Sequence, residues 1–118
     1  MGGNRGAAEL LAEQAAGARE RLSGLRAEFD DIVAATADSN SDDEHDPEGA
    51  TIGYERARVA SLIRQTEASL VEIERALERV DEGSYGQCLV CGQPIAPARL
   101  QARPTARTCI DCASRPPR

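Results

Sequence analysis

Cys88, Cys91, Cys109 and Cys112 are the residues of this 118-residue chain best suited to chemistry, as two C-x-x-C pairs with seventeen residues between them. Two residues between cysteines let one tight backbone knuckle aim both sulfurs at a single ion, and two knuckles supply the four thiolates of a tetrahedral structural Zn²⁺. Gly92 and the Pro-containing stretch after it suit such a bend. The only histidine, His45, lies far off in sequence. The spacing therefore predicts one structural zinc ion closed by four thiolates, with no open coordination position.

Two disulfides and a redox dithiol are the competing readings. Disulfides belong to oxidising compartments, and the opening Met-Gly-Gly-Asn-Arg lacks the apolar run of a signal peptide. A reduced, cytoplasmic protein is expected. A thioredoxin-type dithiol would sit in a βαβ pattern, which this chain does not show. Thiolates freed by metal release would oxidise readily, which keeps a secondary switching role open.

The elements that must carry the cysteines are helical. Leu11, Ala15, Ala18, Leu22, Leu25, Phe29 and Ile32 recur at steps of four and three, and so do Ile52, Arg56, Val59, Ile63, Thr66, Leu70, Ile73, Leu77 and Val80. Sustained four-three spacing is a coiled-coil seam, because a repeat of 3.5 keeps one stripe against a partner helix. Between the ladders lies Asp38-Ser-Asn-Ser-Asp-Asp-Glu-His-Asp-Pro47, which is turn chemistry. Asp46 and Pro47 suit an N-cap and first helical position, and Gly83 suits the end of the second helix. The expected fold is dominated by α-helix: an antiparallel two-helix coiled-coil hairpin followed by a small four-cysteine zinc finger. Its expected divisions are a flexible lead over 1–8, the hairpin over 9–82 with an acidic tip at about 38–50, the zinc finger over 83–113 and a tail over 114–118. At 1.5 Å per residue, helices of about 28 residues would make a rod of roughly 40 Å. Arg56, at a core position of the second ladder, is expected to turn its guanidinium out to an acid of the first helix.

Composition narrows the function. Aromatic residues are only Phe29, Tyr54 and Tyr85, so helix pairing and metal must supply the stability that larger proteins take from burial. Net charge is −6 and all fourteen basic residues are arginine, the wrong balance for a protein that holds DNA through phosphate contacts. From Thr36 to Tyr54 there are six acids and no arginine, whereas from Ser84 onward there are five arginines against Asp111. No segment is long and apolar enough to span a membrane. No Ser/His/Asp or Cys/His arrangement falls within one module and no glycine-rich phosphate loop is present, so an enzyme is not expected.

The residues around the cysteines carry a resemblance. Gly83-Ser-Tyr-Gly-Gln-Cys88-Leu-Val-Cys91-Gly and Arg99-Leu-Gln-Ala-Arg-Pro-Thr-Ala-Arg-Thr-Cys109-Ile-Asp-Cys112 resemble the DksA/TraR family of bacterial RNA polymerase regulators. Its signature reads G-x-[YF]-G-x-C-x-x-C-G, then R-L-x-A-x-P-x-A-x-x-C-x-x-C. The resemblance implies a transcription regulator that binds RNA polymerase directly, inserts its coiled coil into the secondary channel and modulates initiation without sequence-specific DNA binding. It implies an effector role for the tip, here Asp42, Asp43, His45, Asp46, Glu48 and Ala50. The family's D-x-x-D-x-A tip motif falls on His45, Glu48 and Ala50 in ungapped register, where Ala50 matches, Glu48 keeps the charge and His45 departs. Asp43 or Asp46 could take its place with a shifted loop. Basic residues that serve guanosine tetraphosphate in responsive relatives correspond to Gln65, Ala68 and Glu72, leaving Arg103 as the retained charge, for an alarmone or polymerase contact. Weak or absent alarmone synergy is expected. The ending Ser-Arg-Pro-Pro-Arg cannot continue as the C-terminal helix of longer relatives, so a minimal member is expected. A self-contained hairpin is expected to be monomeric. The other readings are a nucleic-acid-binding zinc ribbon, suggested by the arginine-rich end, and a scaffold in which the ladders pair between chains.

Overall fold

A computed structural model describes residues 2–38 and 47–115, with side chains described for 5–36 and 50–115. Among them are four helices: α1 Gly2–Asp38, α2 Pro47–Glu82, α3 Pro97–Ala102 and α4 Ile110–Ser114. The described residues contain no strand beyond one isolated antiparallel bridge between Gln87 and Pro94. Pro47 opens α2, as its preset φ and missing N–H favour. Asp42, Asp43, His45 and Asp46 lie outside the described residues. Glu48 is on α2, and Ala50, in its first turn, is exposed.

The backbone divides into two compact units, Gly17–Ser69 and Met1–Ala16 with Leu70–Arg118. In the first, α1 and α2 run antiparallel. Leu22 and Val59 are buried, as is Thr66, and Leu25, Phe29, Ile32 and Ile63 are half-buried. Thr66 tolerates burial because its hydroxyl donates to the Leu62 carbonyl at 2.7 Å, one turn back. Arg26 reaches Glu67 at 3.1 Å and Arg58 reaches Glu28 at 3.8 Å. Both pairs are about half exposed, so they set register more than they stabilise. Arg56 is fully on the exposed side, and the cross-helix pairing expected of it is made by Arg58 instead. Two residues are about 200° around a helix, so the arginine off the seam reaches the partner helix while the one predicted on it does not.

In the second unit, Leu11 and Ala15 of α1 pack with Ile73 and Ala76 of α2, all essentially removed from solvent. Ile95 and Ala106 of the cysteine module complete this core. The helix covers residues 2–8, which the sequence reading leaves as a flexible lead. Gly6 and Ala7 there, with Leu10 just beyond, line a mostly apolar cleft of about 390 Å³ with Tyr85, Leu100 and Pro104. Packing against the module extends the helix beyond what the seam alone indicated.

The end of α2 is a Schellman cap. Gly83, at φ +80°, donates its N–H to the Val80 carbonyl at 3.2 Å, and the Ser84 N–H reaches the Arg79 carbonyl at 2.9 Å. A side chain at φ +80° would be strained, which is why glycine ends this helix. The chain is thereby turned directly into the first cysteine knuckle.

Candidate metal centre

Cys88 and Cys91 sit on one knuckle, closed by the Gly92 N–H donating to the Cys88 carbonyl at 2.9 Å. Gly92 adopts φ +75°, the left-handed conformation that lets the chain reverse right after the second sulfur. The Cys88 N–H donates to the Gln93 carbonyl at 2.8 Å and the Ile95 N–H to the Gly86 carbonyl at 2.7 Å, so the reversal is a short antiparallel clasp. Cys109 precedes α4 with extended backbone and Cys112 lies within that helix. The Ala113 N–H donates to the Cys109 carbonyl at 2.9 Å, which holds the second pair in a helical turn.

Three hydrogen bonds bring the knuckles together. Leu89 N–H meets the Arg107 carbonyl at 2.9 Å, Arg99 Nε meets the Thr108 carbonyl at 2.9 Å, and the Tyr85 hydroxyl meets the Pro104 carbonyl at 2.8 Å. These contacts involve Tyr85, Arg99 and Arg107, to which sequence reasoning gave no structural role. Only the approach of segments nine to nineteen residues apart reveals them.

The four Sγ atoms all lie within 4.8 Å of one another. Zinc–sulfur bonds of about 2.3 Å arranged tetrahedrally require sulfurs about 3.8 Å apart. Cys91 and Cys109 Sγ are separated by 3.8 Å, so the donor set fits such an ion in both chemistry and spacing. All four predicted ligands are brought to one point.

Without metal the thiols divide unequally. Cys88 is drawn down to about 6, chiefly by the hydrogen bond its sulfur accepts from the Cys91 backbone N–H, against the effect of burial. Cys112 is pushed up to about 12 by its hydrogen bond to Cys109, with burial adding to it. The Cys88 thiolate forms readily while the Cys112 thiol holds its proton, as expected when like charges share one small site. Cys88, Cys91, Cys109 and Cys112 would hold a divalent ion as thiolates, its charge offsetting their mutual repulsion.

The other proposed site residues are separate from this centre. Arg103 is exposed at the end of α3, with its backbone N–H on the Arg99 carbonyl at 2.7 Å. Gln65 and Ala68 are exposed on α2, and Glu72 is half-buried there.

Residues 83–118 match the family model of the prokaryotic dksA/traR C4-type zinc finger. Over 44 residues the chain is 50% identical to the RNA polymerase-binding transcription factor DksA of Caulobacter vibrioides, covering 37% of this chain and 31% of that one. Over 50 residues it is 46% identical to the protein of the same name from Escherichia coli K12, covering 42% of this chain and 33% of the relative. These matches thus span about a third of the curated relatives' length. Likeness of fold extends further. The structure of transcription factor DksA2 from Pseudomonas aeruginosa aligns with a TM-score of 0.81 at 27% identity, covering 96% of this chain and 81% of that one. The DnaK suppressor protein of Agrobacterium tumefaciens aligns at 0.58 and 26%, covering 93% of this chain and 90% of that one.

Proposed function

We propose, from the match of residues 83–118 to the prokaryotic dksA/traR C4-type zinc finger, that the chain is a transcription regulator acting by direct contact with RNA polymerase. The observation that carries this reading is the agreement of two independent likenesses: the zinc module to polymerase-binding factors, and the fold over 96% of the chain to a DksA2. One structural Zn²⁺ is held by Cys88, Cys91, Cys109 and Cys112, and organises the end of the hairpin without catalysing anything. With four protein sulfurs the ion keeps no position for substrate.

In this reading the paired helices enter the secondary channel and deliver the acidic segment to the metal-containing active centre, where carboxylates act at short range. Asp42, Asp43, His45, Asp46, Glu48 and Ala50 form the effector tip. The divisions at 1–8, 9–82, 83–113 and 114–118 separate a lead, the hairpin, the metal module and a tail. The protein works as a monomer in the cytoplasm and does not read DNA sequence. Guanosine tetraphosphate contributes little, since Gln65, Ala68 and Glu72 offer no cation and Arg103 alone of the four is positively charged. The family-model match and the cysteine geometry support the metal role, and the composition of the 38–50 segment supports the tip.

The test is binding of the zinc-loaded chain to purified bacterial RNA polymerase, alongside single-round transcription. Replacing Asp43, Asp46 and Glu48 together by alanine should leave binding within about two-fold while abolishing the effect on initiation, as expected of charges outside an anchoring contact. Absence of binding by the unaltered chain would overturn the reading.

A further inference from the structure

Arg99 is no member of the cysteine set, yet its side chain is committed to the backbone that delivers Cys109. Its Nε donates to the Thr108 carbonyl at 2.9 Å, nine residues along the chain and immediately before that cysteine. The preceding carbonyl, of Arg107, accepts the Leu89 N–H at 2.9 Å, and the Cys109 carbonyl accepts the Ala113 N–H at 2.9 Å. Three consecutive carbonyls around Cys109 are therefore each held by a different partner. Only the middle one depends on a side chain.

Both ends of this bond are well defined. Arg99 lies within α3, where its own N–H reaches the Ala96 carbonyl at 3.0 Å and its carbonyl takes the Arg103 N–H at 2.7 Å. A guanidinium is planar and always charged, so its hydrogen bond to a carbonyl is stronger and more directional than one from a neutral donor. Cys109 is a ligand at which the two knuckles meet, its Sγ 3.8 Å from that of Cys91. Its backbone is extended, and its sulfur makes no capping bond to α4, the helix it precedes. The sulfur is thus left for a metal, and its direction is left to the segment leading in.

We propose that Arg99 is a positioning residue of the metal centre: by fixing the Thr108 carbonyl it sets where the Cys109 sulfur points, and through that the zinc affinity of the four-cysteine site. It supplies no ligand atom itself. The inference rests on the four-cysteine zinc reading above and adds to it a residue outside the C-x-x-C pairs. Its active part is the Nε–H at that position along the side chain, and the positive charge is secondary.

The experiment uses the full chain. Zinc affinity is measured by competition with a chromogenic chelator, and site geometry by the absorption bands of the cobalt(II)-loaded protein, which are sensitive to the arrangement of the four sulfurs. Arg99→Met keeps the aliphatic stem and removes the donor. It should bind zinc about ten-fold more weakly, the low end of what outer partners of metal ligands contribute, and shift the cobalt bands. Arg99→Gln carries a neutral N–H at the same distance along the side chain, so it should recover affinity to within about three-fold of the unaltered chain. Ile73→Val thins the buried core of the same unit without touching either knuckle. It should lower Tm while leaving zinc affinity within about two-fold and the cobalt bands in place. Unchanged affinity in Arg99→Met overturns the proposal and leaves the metal site standing. An equal loss in Ile73→Val at matched Tm also overturns it, by reducing Arg99 to general stability, as does an equal loss in Arg99→Gln, by assigning the effect to charge. If Arg99→Met fails to fold, Arg99→Gln alone carries the test, and a ten-fold loss of affinity there refutes the role of the N–H. An unaltered chain that takes up no zinc removes the metal reading and the proposal together.

Discussion

Arg79 offers a sharp test of the energetics near the metal module. It lies in the last turn of α2 and is only 9% exposed, and its Nη2 is shielded from solvent with no hydrogen-bond partner. In Arg79→Met the thioether chain replaces the aliphatic stem, and the two residues have similar helix propensity. The substitution removes a stranded buried donor, whose cost is about 1–3 kcal/mol. It gives up a cation near a helix C-terminus, worth about 0.3–1 kcal/mol. The first effect exceeds the second, so the variant should be more stable by about 1 kcal/mol, raising Tm by about 4 °C for a chain of this size. Circular dichroism melting of the zinc-loaded protein measures it. A second readout is independent: burial pushes the Tyr85 phenol above its ordinary 10.0, and the Arg79 charge opposes that rise. The variant should titrate Tyr85 higher still, by ultraviolet difference absorbance. A less stable variant, or one with unchanged Tyr85 titration, would refute the reasoning.

Three further outcomes are expected. Cys109→Ser should abolish stoichiometric zinc binding and unravel the cysteine module, since ligation in small zinc domains contributes on the order of 10 kcal/mol; unchanged metal content and melting would count against the site. Tyr85→Phe should cost about 1 kcal/mol at neutral pH by depriving the Pro104 carbonyl of its donor. Because the folded phenol titrates above 10.0, its contribution is intact below pH 10 and fades as pH rises through the raised value, so wild-type stability should fall toward the Phe variant in alkaline melts. Gly17→Ala and Gly24→Ala, in open helical positions where a Cβ meets nothing within 4 Å, should each stabilise by about 1 kcal/mol in urea melts.

Much of this architecture was legible because its periodicity is unbroken. Every α1 ladder residue from Leu11 to Ile32 is buried or half-buried, and Val59, Thr66 and Ile73 of the second ladder are buried. The C-x-x-C spacing identified all four clustered sulfurs, since a knuckle leaves little freedom in where two close cysteines point. Ala76 and Arg79 are buried off the seam, where the cysteine module joins the same core. Helical periodicity describes one helix meeting one partner and carries no sign of a third element. Arg56 illustrates the converse, since a seam position near a helix end need not be covered at all. The carbonyl contacts of Tyr85 and Arg99 depend on the path of the backbone between the cysteine pairs, which composition does not encode.

The four sulfurs are unequal in access, with Cys88 3% exposed at the base of the module and Cys91 open to solvent. Exchange of the ion with an outside chelator therefore has a direction. With an ion held by the four cysteines, an incoming ligand would reach the exposed Cys91 sulfur more easily than the buried Cys88 sulfur. The lifetime of a loaded finger would then depend most on what shields Cys91, the most exposed of the four sulfurs, and a partner seated over it would slow metal loss without touching the equilibrium affinity of the free protein.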